Sequence, residues 1–123
     1  MNAQLKAKNA YAAATKSAST PKSYEYKVIA RVTRELLDAA RKGKKGFPAL
    51  ASALETNRKL WRILENDLLS SGNQLPDDAK ENLVYLAAFT RQHTPKVLRR
   101  EAGVQPLLEI NTAVLRGLRG GAT

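Results

Sequence analysis

Few side chains in this sequence could do chemistry, and their neighbours argue against it. His93 is the one histidine and cysteine is absent, so a metal site of His or Cys ligands, or thiol catalysis, has nothing to build from. Asp77 and Asp78 are a carboxylate pair of the kind that does acid–base work. They follow Leu75-Pro76, however, where a helix start explains them through the positive end of the helix dipole. Gly117-Leu118-Arg119-Gly120-Gly121 has no strand before it and no helix after it, so it is not a phosphate-cradling loop. His93, just before Thr94-Pro95, reads as a structural or surface residue, with a pH switch as the alternative. We expect no enzyme, no cofactor and no metal.

What remains is recognition chemistry. Leu50, Leu54, Asn57, Trp61, Leu64 and Leu68 are spaced 4, 3, 4, 3, 4, which puts them on one face of a helix. Asn57 interrupts that apolar stripe, and a buried amide destabilises unless it is hydrogen-bonded. Asn111 does the same in a second stripe, between Leu108 and Val114. Two readings are open for the pair. They hold helices in register, or they bond a partner's backbone at the rim of a groove. Trp61, the only tryptophan, is either core or an interface anchor. Arg58, Lys59 and Arg62 fall away from the stripe and read as a solvated face.

The elements that must position these groups are helices. No run shows the period-2 alternation of a strand. A first helix is expected over about residues 3–17, where an alanine stripe (Ala3, Ala7, Ala10, Ala14, Ala18) buries little area, so residues 1–18 should be weakly anchored. A second, about 21–42, has Thr20 as cap, Pro21 at its first position and Gly43 as a left-handed stop. Gly43-Lys44-Lys45-Gly46 then forms a basic loop. The third helix runs about 48–71 and ends at Gly72, and Asn73 and Gln74 turn the chain. The fourth starts at Leu75-Pro76, and Pro95 should kink it or end it near Gln92, with a short separate helix to about Arg100 as one outcome. The fifth covers about 104–118, and Gly117, Gly120 and Gly121 should release residues 119–123 as a disordered tail. Short linkers favour a compact all-α bundle of about five helices, one domain over residues 1–123.

The charge is strongly positive, formally +10, and uneven. Residues 1–46 hold eleven Lys or Arg against three acids, residues 47–90 four against six, and residues 91–123 six against two. Such a surface either keeps the protein soluble or attracts an acidic protein, nucleic acid or anionic membrane. The longest apolar run, Leu83 to Phe89, is far below the roughly 18 residues of a membrane span. Lys6 and Lys8 are followed by an alanine-rich polar segment and not by an apolar signal core. We expect a cytoplasmic protein.

The order Asn57-Arg58, Leu60-Trp61, Asn73, Leu75-Pro76 resembles the flagellar biosynthesis regulator FlaF family of alphaproteobacteria. Asn9-Ala10-Tyr11, the segment from Pro21 to Glu25, and Leu107-Leu108-Glu109-Ile110-Asn111 with Gly117-Leu118 agree with it, so the likeness covers nearly the whole chain. Pro95 departs from the family pattern. The resemblance implies a binding protein of flagellum biogenesis that acts on flagellin, promotes its synthesis or export, and is set against a FlbT-type repressor. It points to Asn57, Arg58, Trp61, Asn73, Leu75, Pro76 and Asn111 as partner-binding positions. Helix-in-groove capture of an amphipathic flagellin segment is the physical picture. A second reading, binding of flagellin messenger RNA, is motivated by the basic first 46 residues. It is weakened by an aromatic content of 6% and by the lack of any recognisable RNA module.

Overall fold

The computed structural model describes residues 23–73 and 75–122. The expected first helix, the Thr20-Pro21 start and Gln74 lie outside them. Among the described residues there are four α-helices and no strand: α1 (Ser23–Arg41), α2 (Phe47–Leu69), α3 (Asp77–Leu98) and α4 (Gln105–Ala122). A 3-10 turn, Gly43–Gly46, joins α1 to α2. The all-α bundle expected from periodicity is the fold observed.

Each helix forms where its apolar residues share a stripe. On α1 the buried positions Ile29, Val32, Leu36 and Ala39 recur at 3 and 4 residues. Gly43 ends it with φ +65, the left-handed geometry that glycine adopts without strain. Gly46 is needed for space. A Cβ there would collide with the Cβ of Lys42 and stand 2.9 Å from the carbonyl oxygen of Ala39. That close approach lets the chain reverse within four residues. Pro48 lies in the first turn of α2, where its missing N–H costs nothing. Ser70 closes α2, its hydroxyl donating to the Asp67 carbonyl at 2.8 Å. Asp77 and Asp78 occupy the first turn of α3, as their charge at a helix start requires.

Two helix ends differ from expectation. α3 does not stop near Gln92, and no separate helix follows; it runs through Pro95 to Leu98. Pro95 lies in the final turn, so only one backbone bond is forgone, and Thr94 and Val97 on either side are buried and hold the turn in place. α3 then ends in a Schellman motif: Glu101 N–H donates to Lys96 O at 2.8 Å and Arg100 N–H to Val97 O at 2.9 Å. The left-handed residue of that motif is Arg100, at φ 62, where glycine is usual. α4 continues through Gly120 and Gly121 to Ala122, beyond the Leu118 end that the glycines implied.

Core composition sets the topology. One apolar cluster joins Ile29, Trp61, Leu68, Ala79, Leu83, Leu86, Ala87, Ile110, Ala113 and Val114; the other joins Leu36, Ala39, Ala53, Leu54, Val97, Leu107 and Leu108. Early residues of α1 thus meet late residues of α2, early ones of α3 and late ones of α4, so neighbours run antiparallel, up-down-up-down. α1 packs on α2 and α4, and α2 packs on α3, while α2 and α4 stand diagonally without backbone contact. Between the clusters, at mid-height, every helix contributes a buried polar residue: Thr33, Asn57, Thr90 and Asn111.

Candidate functional site

Three of the expected positions meet in that middle layer. The indole Nε1–H of Trp61 donates to Asn111 Oδ1 at 3.0 Å, and Asn111 Nδ2 donates to Asn57 Oδ1 at 2.8 Å. Asn57 is 0% exposed, Asn111 1% and Trp61 3%. The chain of bonds crosses the diagonal from α2 to α4, where no backbone contact does the work. Apolar diagonal contacts tolerate rotation and sliding, whereas this chain is satisfied in one register only. Trp61 and both asparagines are therefore core. The asparagines bond each other and the indole. At the end of the chain, Asn57 Nδ2 is buried without a partner.

The other expected positions lie elsewhere. Asn73, Leu75 and Pro76 form the turn between α2 and α3. Asn73 Oδ1 accepts from Leu75 N–H at 3.0 Å, a local turn made by the side chain, and Asn73 Nδ2 donates to Asp67 Oδ2 at 3.2 Å. Lys80 Nζ reaches the Asn73 carbonyl at 3.4 Å. Pro76 precedes α3, and Leu75 packs beneath on the first apolar cluster. Lys59 and Arg62 are exposed, as expected of a solvated face, and Arg58 at its edge is half-buried. It binds Glu55 through Nη2 and buries its Nε without a partner. With Trp61, Arg62, Glu65, Ala87, Thr90 and Arg91 it lines a cleft of about 40 Å³ between α2 and α3.

A larger opening lies at the opposite end, beside the 3-10 turn. A groove of about 520 Å³ is lined by Ala40, Gly43, Lys44, Phe47, Leu50, Arg100 and Val104. Its floor is apolar and its cations are Lys44 and Arg100. The Arg100 guanidinium stands 4.1 Å from the centre of the Phe47 ring, a cation–π contact that accompanies its left-handed backbone. Nearby, the Arg99 guanidinium hydrogen-bonds and attracts the Glu101 carboxylate, holding it below the usual carboxylate range. His93 stacks on Phe89 and its Nε2 lies 2.7 Å from the Gly103 carbonyl, which only accepts, so Nε2 carries the proton. His93 thereby ties α3 to the loop that forms the groove's edge.

The sequence marked the basic Lys44-Lys45 loop but not the groove. No local signal shows that Phe47 and Arg100, 53 positions apart, stack. Among the described residues no group of three or more His, Cys, Asp or Glu could hold a metal ion, and no helix is long and apolar enough to cross a membrane.

An antiparallel helical bundle with a pinned diagonal and a basic-rimmed apolar groove is the class this fold defines. Within it, a model of the family described as flagellar protein FlaF matches residues 7–118. The chain belongs to the FlaF family, and its role lies in flagellum biogenesis. No curated protein and no solved structure matches it.

Proposed function

We propose that this FlaF-family chain is a non-enzymatic cytoplasmic protein that binds flagellin and promotes its synthesis or export in opposition to a FlbT-type repressor. The observation that carries the reading is the open groove: an apolar floor of Ala40, Phe47, Leu50 and Val104 under the cations Lys44 and Arg100, in a member of a flagellar family. Such a floor suits the apolar face of an amphipathic helix, and the rim suits acids on that helix's flank. The occupant is a flagellin segment of that description. The rim cations chiefly raise the association rate and set the salt dependence, while the floor supplies most of the affinity.

The test is titration of purified protein with monomeric flagellin by calorimetry, in parallel with a FlbT-type protein. Saturable binding to flagellin that weakens with salt is expected, as is a several-fold loss in Lys44→Glu with an unchanged circular dichroism spectrum. Absence of binding to both proteins would remove the reading. Salt-dependent binding of flagellin leader RNA in its place would overturn it in favour of an RNA regulator.

A further inference from the structure

Arg100 occupies a position that its own backbone disfavours. It is the left-handed residue of the Schellman motif that ends α3, at φ 62, and among the described residues it is the one non-glycine with positive φ. Glycine takes that conformation without strain, whereas a side chain there costs free energy. The arginine side chain is not needed to close the helix, because the motif's two bonds run between backbone groups. What the side chain adds lies in the groove. Its guanidinium stands over the Phe47 ring, 4.1 Å from the centre, and both residues line the opening of about 520 Å³. Arg100 is exposed, and Ala40, Phe47, Leu50 and Val104 are each only partly buried, so an occupant of the groove reaches both the cation and the floor.

The charge at the groove is uncompensated. No acid lines it. Among the described residues the Arg100 guanidinium makes no hydrogen bond or ion pair, and the carboxylate next in sequence, Glu101, is bound by Arg99 at 3.0 Å. Contact with the Phe47 ring restrains a side chain that otherwise gives up much rotamer freedom on binding. It also leaves the N–H donors without an oxygen partner. A planar fork of such donors fits a carboxylate bidentately. Lys44, the other cation of the groove, is a point charge on a flexible stem that no ring or acid holds among the described residues. We infer that Arg100 is the residue by which the groove selects its occupant, a polypeptide segment in which an aspartate or glutamate stands beside an apolar side chain. The apolar group covers the floor of Phe47, Leu50 and Val104, and the carboxylate accepts from the Arg100 guanidinium. This inference rests on the groove as the docking surface of the flagellin reading and adds which feature of the segment is recognised there.

A pair of small ligands separates this chemistry from flagellin itself. 3-Phenylpropionate carries an apolar ring and a carboxylate, and 3-phenylpropionamide has the same shape without the charge. Each is titrated into the protein at constant ionic strength, and backbone amide NMR shifts at Phe47, Leu50 and Val104 are followed. The acid is expected to saturate these shifts and to bind about fivefold or more tightly than the amide, the size of a favourable exposed ion pair. In Arg100→Gly, which relieves the backbone, Tm should equal or exceed the parent's while the acid's advantage disappears. An arginine that served only the fold would instead lower Tm on removal and leave the advantage in place. Lys44→Ala should keep most of the advantage. No saturable shift up to roughly 50 mM, a generous range for about eleven heavy atoms, would overturn the inference. So would equal binding of acid and amide by the parent, or an advantage that survives Arg100→Gly or vanishes equally in Lys44→Ala. Monomeric flagellin titrated into the same proteins keeps the two readings apart. Acid selection without flagellin binding removes the flagellin reading alone, and flagellin binding undiminished in Arg100→Gly removes this inference alone.

Discussion

The bond chain Trp61 to Asn111 to Asn57 predicts an asymmetry between its two asparagines. In Asn111→Leu the indole N–H loses its acceptor and Asn57 Oδ1 loses its donor, so two buried groups are newly orphaned, each worth about 1–3 kcal/mol. Leucine's apolar gain offsets part of this, leaving a loss of about 2–5 kcal/mol. In Asn57→Leu only Asn111 Nδ2 loses its partner, and the already unpartnered Asn57 Nδ2 disappears. The two effects are of similar size, so the net change is within about 1 kcal/mol of zero. The double variant leaves only the indole N–H orphaned. It lacks both Asn57 Oδ1 and the already unpartnered Asn57 Nδ2, and should therefore be more stable than Asn111→Leu alone by about 2–6 kcal/mol. Urea unfolding followed by far-ultraviolet circular dichroism measures all four corners of the cycle, with stability changes read from midpoints at constant slope. A double variant equal to the sum of the singles, or an Asn57→Leu loss as large as that of Asn111→Leu, would refute the proposed direction and termination of the chain.

Three further perturbations follow from the helix ends. Gly46→Ala places a methyl against Lys42 and the Ala39 carbonyl and should cost about 1–3 kcal/mol; unchanged thermal stability would show that the turn can widen freely. Pro95→Ala restores an N–H to the last turn of α3 and should stabilise by about 1 kcal/mol or more, seen as a higher Tm. Glu101 has its folded pKa lowered, by its hydrogen bond to Arg99 first and by that residue's charge second. Its contribution is therefore present above the unfolded value of about 4.3 and is lost as pH falls through the folded pKa. Glu101→Gln should be slightly less stable than the parent at neutral pH and indistinguishable from it once both are well into acid, as paired urea midpoints across pH would report.

Helix existence, approximate boundaries and the buried faces were legible because they follow from local rules. The 3–4 spacing of Leu50, Leu54, Asn57, Trp61, Leu64 and Leu68 needs no knowledge of what they pack against. Gly43 as a left-handed stop and Asp77-Asp78 at a helix start follow from backbone sterics and the helix dipole. The family pattern was legible for the same reason, as an order of residues along the chain. Whether α3 continues through Pro95 or ends before it was not, because proline's cost depends on how near the helix end lies and on what holds the turn, here buried Thr94 and Val97.

Asn57 and Asn111 were recognisable as exceptions on two stripes. That they bond each other and Trp61 depended on two diagonal helices arriving at one height, a relation between positions 50 and 54 residues apart that no local spacing encodes. The groove under Arg100 and the cleft under Thr90 were likewise decided only when separate helices closed on one another. Which residues can be buried is a property of the chain's own periodicity. Which buried groups find partners is settled by packing between helices, where a shift of one turn exchanges every neighbour.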